Sequence, residues 1–120
     1  MIRAIRGAIT VNNNIAEEML TATERLVKEI EKKNCFSPTD IVSVLISTTA
    51  DLDACFPATA VREIDGWIYV PVMCVKEMEV PGALQKCIRV MITVTTNKKQ
   101  QEIEHVYLEK AKQLRPDLIS

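Results

Sequence analysis

A chain of 120 residues is long enough to bury one hydrophobic core and short enough to form a single domain. With 48% hydrophobic residues, 26% charged residues and a formal net charge of −1, it has the composition neither of a disordered chain nor of a membrane protein, and it has no clustered basic face. Nucleic acid and membrane are therefore not expected as partners.

The first apolar stretch, MIRAIRGAITV, is broken by Arg3 and Arg6 and offers no cleavage-like site. It reads as neither signal peptide nor anchor, so a cytoplasmic protein is expected. Residues 2–11 alternate as a strand does, with Ile5, Gly7, Ile9 and Val11 on one face and Ala4, Arg6, Ala8 and Thr10 on the other. From Ile15 the apolar period lengthens to that of a helix. Ile15, Met19, Leu26 and Ile30, flanked by Ala16, Leu20, Ala22 and Val27, form a stripe that can lie on a sheet. Asn14 and Glu17 have the spacing of a capping box, and Asn34 is a stop signal. SPTD supplies Ser37 as cap, Pro38 at the first helical position and Asp40 as the returning carboxylate, predicting a single turn before the strand IVSVLISTT at 41–49. A short helix is predicted from Pro57 to Gly66, with Arg62 one turn beyond Ala58.

WIYVPVMCV and KCIRVMITVTT read as two more strands, separated by a turn at Pro81 and Gly82. Pro71 marks the first of them as an edge or irregular strand. Residues 100–116 are helical in composition, and the pattern leaves open a strand or turn around Val106 and Tyr107. This order of elements predicts an α/β fold of the α+β sandwich kind, a mixed sheet with one long and one short helix on one face.

The other face of the sheet is the informative one. In CIRVMITVTT, Ile88, Val90, Ile92 and Val94 form a β-branched row suited to packing under helices. Opposite them stand Cys87, Arg89, Met91 and Thr93, a row too apolar for ordinary solvated surface, so self-association is expected. A guanidinium buried there has five donors to satisfy, and leaving it unanswered costs on the order of several kcal/mol. Either a carboxylate such as Glu77 or Glu79 answers Arg89, or an anionic ligand does; the pattern does not choose. Arg3, Arg6, Arg62 and Arg115 also lie in or beside apolar segments, which suits bidentate recognition of carboxylates, whereas Arg25 reads as a solvated charge on the long helix.

Other chemistry is poorly provided for. Cys35, Cys55, Cys74 and Cys87 form no C-x-x-C pair. His105, the single histidine, lies in a polar stretch and reads as a solvent-exposed helical residue. No glycine-rich phosphate loop is present, and no cofactor or metal is expected.

The stretches IRGAITV, FPATAVREIDGWIYVPVMCVKEMEV, LQKCIRVMITVTT and HVYLEKAKQLRPDL, in this order and along nearly the whole chain, resemble the AroH-class chorismate mutases, small monofunctional enzymes of aromatic amino-acid biosynthesis. The resemblance implies one domain over residues 1–120, with 114–120 a mobile tail, assembling as a homotrimeric pseudo α/β barrel with active sites between subunits. It also implies conversion of chorismate to prephenate by a Claisen rearrangement without a cofactor. Arg89 would lie at the breaking ether oxygen, Arg6 and Tyr107 would hold carboxylates, and Glu77 would accept from the substrate hydroxyl in a pocket that Cys74 helps to line. Phe56, Ala58 and Arg62 would form the neighbouring subunit's wall, Val72 and Met73 join the substrate-binding set, and Leu114 and Arg115 would cover the entrance.

Two positions depart from that pattern: Met73 stands where a small hydroxyl residue is expected, and Thr59 where lysine is common. Both bear on affinity and steering rather than on Arg89. A noncatalytic trimeric module that holds a small carboxylate with the same arginines is the alternative reading. An enimine deaminase relying on Glu77 is a further one.

Overall fold

The computed structural model describes residues 1–114. Strand β1 (Ile2–Thr10) leads through a short loop to helix α1 (Ala16–Asn34), and β2 (Ile41–Thr48) follows a single 3-10 turn at Pro38–Asp40. Helix α2 (Ala58–Arg62) precedes β3 (Val72–Lys76), β4 (Cys87–Thr95) and β5 (Val106–Leu108). The strands lie in the order β3-β2-β4-β1-β5. β4 runs antiparallel to both β1 and β2, while β3 joins β2 and β5 joins β1 in parallel. The expected mixed sheet with one long and one short helix is thus the observed architecture.

Strand alternation sends Ile5, Ile9, Val44, Ile46, Ile88, Val90, Ile92 and Val94 to one face, where they pack with Met19, Leu26, Val27 and Ile30 of α1 and with Trp67. All of these are buried, and each such side chain taken from water contributes about 1.5–3 kcal/mol before entropy is counted. α1 lies so close to β1 that a Cβ on Gly7 would come within 2.6 Å of Ile30 Cδ1. At the end of α1, buried Asn34 turns its side chain back to the Ile30 carbonyl at 2.9 Å, and Cys35 adopts the left-handed conformation that closes the helix. The SPTD turn forms as read: the Ser37 N–H donates to Asp40 Oδ2 at 3.0 Å and the Thr39 N–H to Ser37 Oγ at 3.4 Å.

Four expectations need correction. Asn14 does not cap α1; the cap position is Ile15, and Asn14 Oδ1 instead accepts from the Asp53 and Ala54 N–H groups, both at 3.1 Å, tying the start of the helix to a distant loop. The short helix ends at Arg62 rather than Gly66, because the chain tightens into successive i to i+3 bonds from Ile64 to Val61, Trp67 to Ile64 and Val70 to Trp67, with Gly66 at φ +85°. Those turns bury Trp67 and delay β3 to Val72, at the sheet edge that Pro71 had signalled. The C-terminal stretch is not an α-helix among the described residues: 3-10 turns at Gln100–Glu102 and Glu109–Gln113 flank β5, and His105 stands half-buried just before that strand rather than exposed on a helix. The tail from residue 115 onward lies outside the described residues. Among the described residues no helix is long and apolar enough to cross a membrane.

Candidate active site

Register places the site on the sheet face that the helices leave open. Ala8 lies opposite Arg89 and Arg6 opposite Met91 across the β1–β4 ladder, so the two arginines project from neighbouring strands on the same side. On the other flank of β4, Ser47 of β2 lies opposite Arg89 and Leu45 opposite Met91, and β3 adds Val75 beside Ser47. Together with Glu77, just beyond β3, and with Tyr107 and Leu114, these residues line a cavity of roughly 370 Å³.

Its electrostatics are unbalanced. The lining holds two guanidinium groups, Arg6 and Arg89, and one carboxylate, Glu77, an excess of one positive charge. The Ser47 hydroxyl donates to Glu77 Oε2 at 2.7 Å, and Arg89 Nε stands 3.7 Å from that same oxygen, near enough for attraction and too long for a hydrogen bond. The Glu77 side chain is 21% exposed and that of Arg89 is 49% exposed. Within one chain Arg89 is therefore about half exposed and lines the cavity, while the desolvation expected for it belongs to an assembly of chains. Behind it the Cys87 thiol packs with Ala8, Tyr107 and Ala111. Burial pushes that thiol up, against the opposing pull of Arg89, so at neutral pH it stays protonated and leaves the guanidinium charge undiminished.

A cleft lined by two guanidinium groups, one of them beside a carboxylate anchored by Ser47, invites comparison with known proteins. The family model described as Chorismate mutase type I matches residues 2–118. The chain belongs to this family. Chorismate mutase AroH of Bacillus subtilis (strain 168) is 56% identical over 118 residues, spanning 98% of this chain and 93% of that protein. Chorismate mutase AroH of Thermus thermophilus is 42% identical over 121 residues, spanning 100% and 98%. The solved chorismate mutase from Clostridium thermocellum superposes with a TM-score of 0.89 at 49% identity, covering 92% of this chain and 97% of that one.

Within this member of the chorismate mutase family, the residues singled out from the sequence fall into two groups. Arg6, Glu77, Arg89, Tyr107 and Leu114 converge on one cavity. The others do not reach it within one chain. Cys74 pairs with Ile46 and so points to the opposite face, where it lines a separate cavity with Cys55 and Phe56. Val72 packs half-buried at the core's edge, and Met73, opposite Leu45, is exposed on the open face. Ala58 is buried in the core while Arg62, one turn on, is exposed. Arg115 lies outside the described residues. Ser47 was missed, although its place two residues after Leu45 in IVSVLISTT put it on the open face. His105 also acquires a specific contact, accepting the Arg6 main-chain N–H at Nδ1, 2.9 Å away.

Proposed function

We propose that this chain rearranges chorismate to prephenate in the cavity between Arg6 and Arg89, and that Arg89 is its principal catalytic residue. The observation behind the proposal is the convergence of Arg6, Arg89 and Tyr107 on one open face around a Glu77 carboxylate fixed by Ser47. A Claisen rearrangement breaks a C–O bond as it forms a C–C bond within one molecule, so it calls for no nucleophile and no proton transfer. What accelerates it is a substrate held compact and a positive charge where the ether oxygen gains electron density. Arg6 and Tyr107 hold the substrate's carboxylates, Glu77 accepts from its hydroxyl, and Arg89 donates to the ether oxygen.

In the same reading the chain is a homotrimer. Phe56, Ala58 and Arg62 of one protomer wall the cavity of its neighbour, Val72, Met73 and Cys74 add to the substrate-binding set, and Leu114 lies at the entrance. Exposed Phe56, and the apolar side chains of Leu45, Met73 and Met91 on the uncovered sheet face, support such an assembly. All four cysteines are free, as befits the reducing cytoplasm in which we place the reaction.

The test is to mix purified protein with chorismate, follow loss of the diene absorbance and identify prephenate as product. Consumption no faster than in buffer sinks the assignment, and binding without turnover would favour a carboxylate-holding module instead. Arg89→Ala should lower kcat by at least ~10²–10³-fold, as removal of one preorganised donor does. Replacing Arg89 with citrulline, which keeps the shape and removes the charge, should do nearly the same; near-normal turnover in either would refute the electrostatic role.

A further inference from the structure

We propose that His105 is a positioning residue of the cavity, its ring pinning Arg6 to the strand that carries Tyr107. The inference rests on the reading of Arg6 and Tyr107 as the groups that hold the substrate's carboxylates. The β1–β5 ladder is short: it pairs Gly7 with Val106, Ala8 with Tyr107 and Ile9 with Leu108, and it stops one residue before Arg6. Glu104, the next residue back from β5 beyond His105, has its main chain engaged elsewhere. Its N–H donates to Asn34 Oδ1 and its carbonyl accepts from Asn34 Nδ2, both at 2.9 Å, so the end of α1 holds this backbone away from β1.

The acceptor for the Arg6 N–H is supplied by a side chain instead, His105 Nδ1 at 2.9 Å. A ring nitrogen that accepts carries no proton, so the neutral imidazole holds its proton on Nε2. Arg6 and Tyr107 both line the cavity, from strands joined by three residue pairs. The imidazole adds a fourth tie at the end of that ladder nearest Arg6. Without it, the Arg6 backbone loses its acceptor on the β5 side, and the separation between the two carboxylate-holding groups is no longer fixed.

Kinetics of His105→Ala and His105→Asn, alone and combined with Arg6→Ala, test the assignment. Asparagine places an oxygen close to where Nδ1 stands; alanine leaves the amide unmet. His105→Ala should raise KM for chorismate roughly 5–100-fold, the range expected for an amide left without its acceptor, while kcat stays close to wild type because Arg89 is untouched. His105→Asn should recover most of that rise. In the Arg6→Ala background, His105→Ala should add little, because the two residues act through one interaction. Equal damage from alanine and asparagine, an unchanged KM, or additive effects would overturn the role.

Amide hydrogen exchange gives a readout that does not depend on turnover. The Arg6 N–H should be protected in wild type, exposed in His105→Ala and protected again in His105→Asn. Exchange at Arg6 that is indifferent to the alanine change also overturns the pin. Wild-type protein that fails to turn over chorismate yet shows the expected exchange pattern would remove the mutase reading and leave the pin standing.

Discussion

The Ser47 hydroxyl donates to the same Glu77 oxygen that faces Arg89, so one short bond fixes the acid's position between a neutral donor and a cation. Hydrogen bonds to charged groups contribute about 1.5–3 kcal/mol when well enclosed, and less where water reaches the pair. Ser47→Ala should therefore lower kcat/KM for chorismate by roughly 3–10-fold with little change in melting temperature. Steady-state kinetics alongside thermal unfolding would show it, and an unaltered kcat/KM would mean that Glu77 holds its place unaided. Arg89 was legible in the sequence because strand alternation alone put it on the apolar second face. Ser47 was not, since its partner lies 30 residues away and a serine on a strand looks like ordinary surface. His105 was misread for the same reason: nothing in its polar neighbourhood foretells a contact with a backbone 99 residues distant.

The helices and the last strand are held by contacts that differ in legibility. α1 was readable almost to its ends because its buried stripe, Met19, Ala22, Leu26, Val27 and Ile30, repeats at helical spacing. Asn14 misled because a side chain suited to capping was taken up by the backbone of residues 53 and 54. β5 was only half legible; a three-residue strand is too short for its period to show, and its parallel place beside β1 is set by tertiary packing. The fit of α1 on β1 has a direct consequence at Gly7. A methyl group there would stand 2.6 Å from Ile30 Cδ1, 3.1 Å from the Val106 carbonyl oxygen and 3.2 Å from Leu26 Cδ1. The shortest contact is with the tip of a fully buried side chain and the next is with backbone, so relief requires Ile30 to leave its packed rotamer and β5 to give by a small amount, and Gly7→Ala should destabilise the fold by about 1–3 kcal/mol in chemical denaturation. A second tie joins α1 to the segment after β5: Arg25 Nη1 stands 2.7 Å from Glu109 Oε1. The hydrogen bond from Arg25 and its charge hold the Glu109 carboxyl below its usual range. A folded-state value depressed in this way adds stability above the unfolded carboxylate value of about 4.3, and that stability is lost as pH falls through the folded value. Both partners are about half exposed, so the effect should be small and weakened by salt. The melting temperature of wild type should exceed that of Glu109→Gln at neutral pH, with the gap closing in acid; a gap that persists or widens there would contradict the assignment.

At the scale of the whole molecule, the helices cover one face of the sheet and leave the other with Leu45, Met73, Val75 and Met91 exposed beside the arginine pair. The sequence already made this imbalance readable, because only two helices were predicted for a sheet with apolar residues on both faces; what covers the second face was not encoded in any periodicity. The division of the candidate residues carries the same message. Arg6, Glu77, Arg89 and Tyr107 share one cavity, whereas Phe56, Arg62, Met73 and Cys74 lie outside it, on the open face, at the β3 edge or near α2. If neighbours complete one another's cavities as proposed, assembly and turnover must rise and fall together. Met73 is the place to separate the two, because it is 62% exposed in one chain, projects beside Leu45 and lies outside the Arg89 cavity of its own protomer. Met73→Glu would set a carboxylate into the contact between copies, where desolvation and the acid's own charge oppose docking. Sedimentation velocity over a dilution series should show the wild type as one species of three chains, and the variant shifting toward single chains at concentrations where the wild type stays assembled. Chorismate turnover per chain should fall along the same dilution curve. Turnover that survives in the dissociated variant would show that a single chain builds a sufficient site, and would remove the neighbour's wall from the mechanism while leaving Arg89 in place.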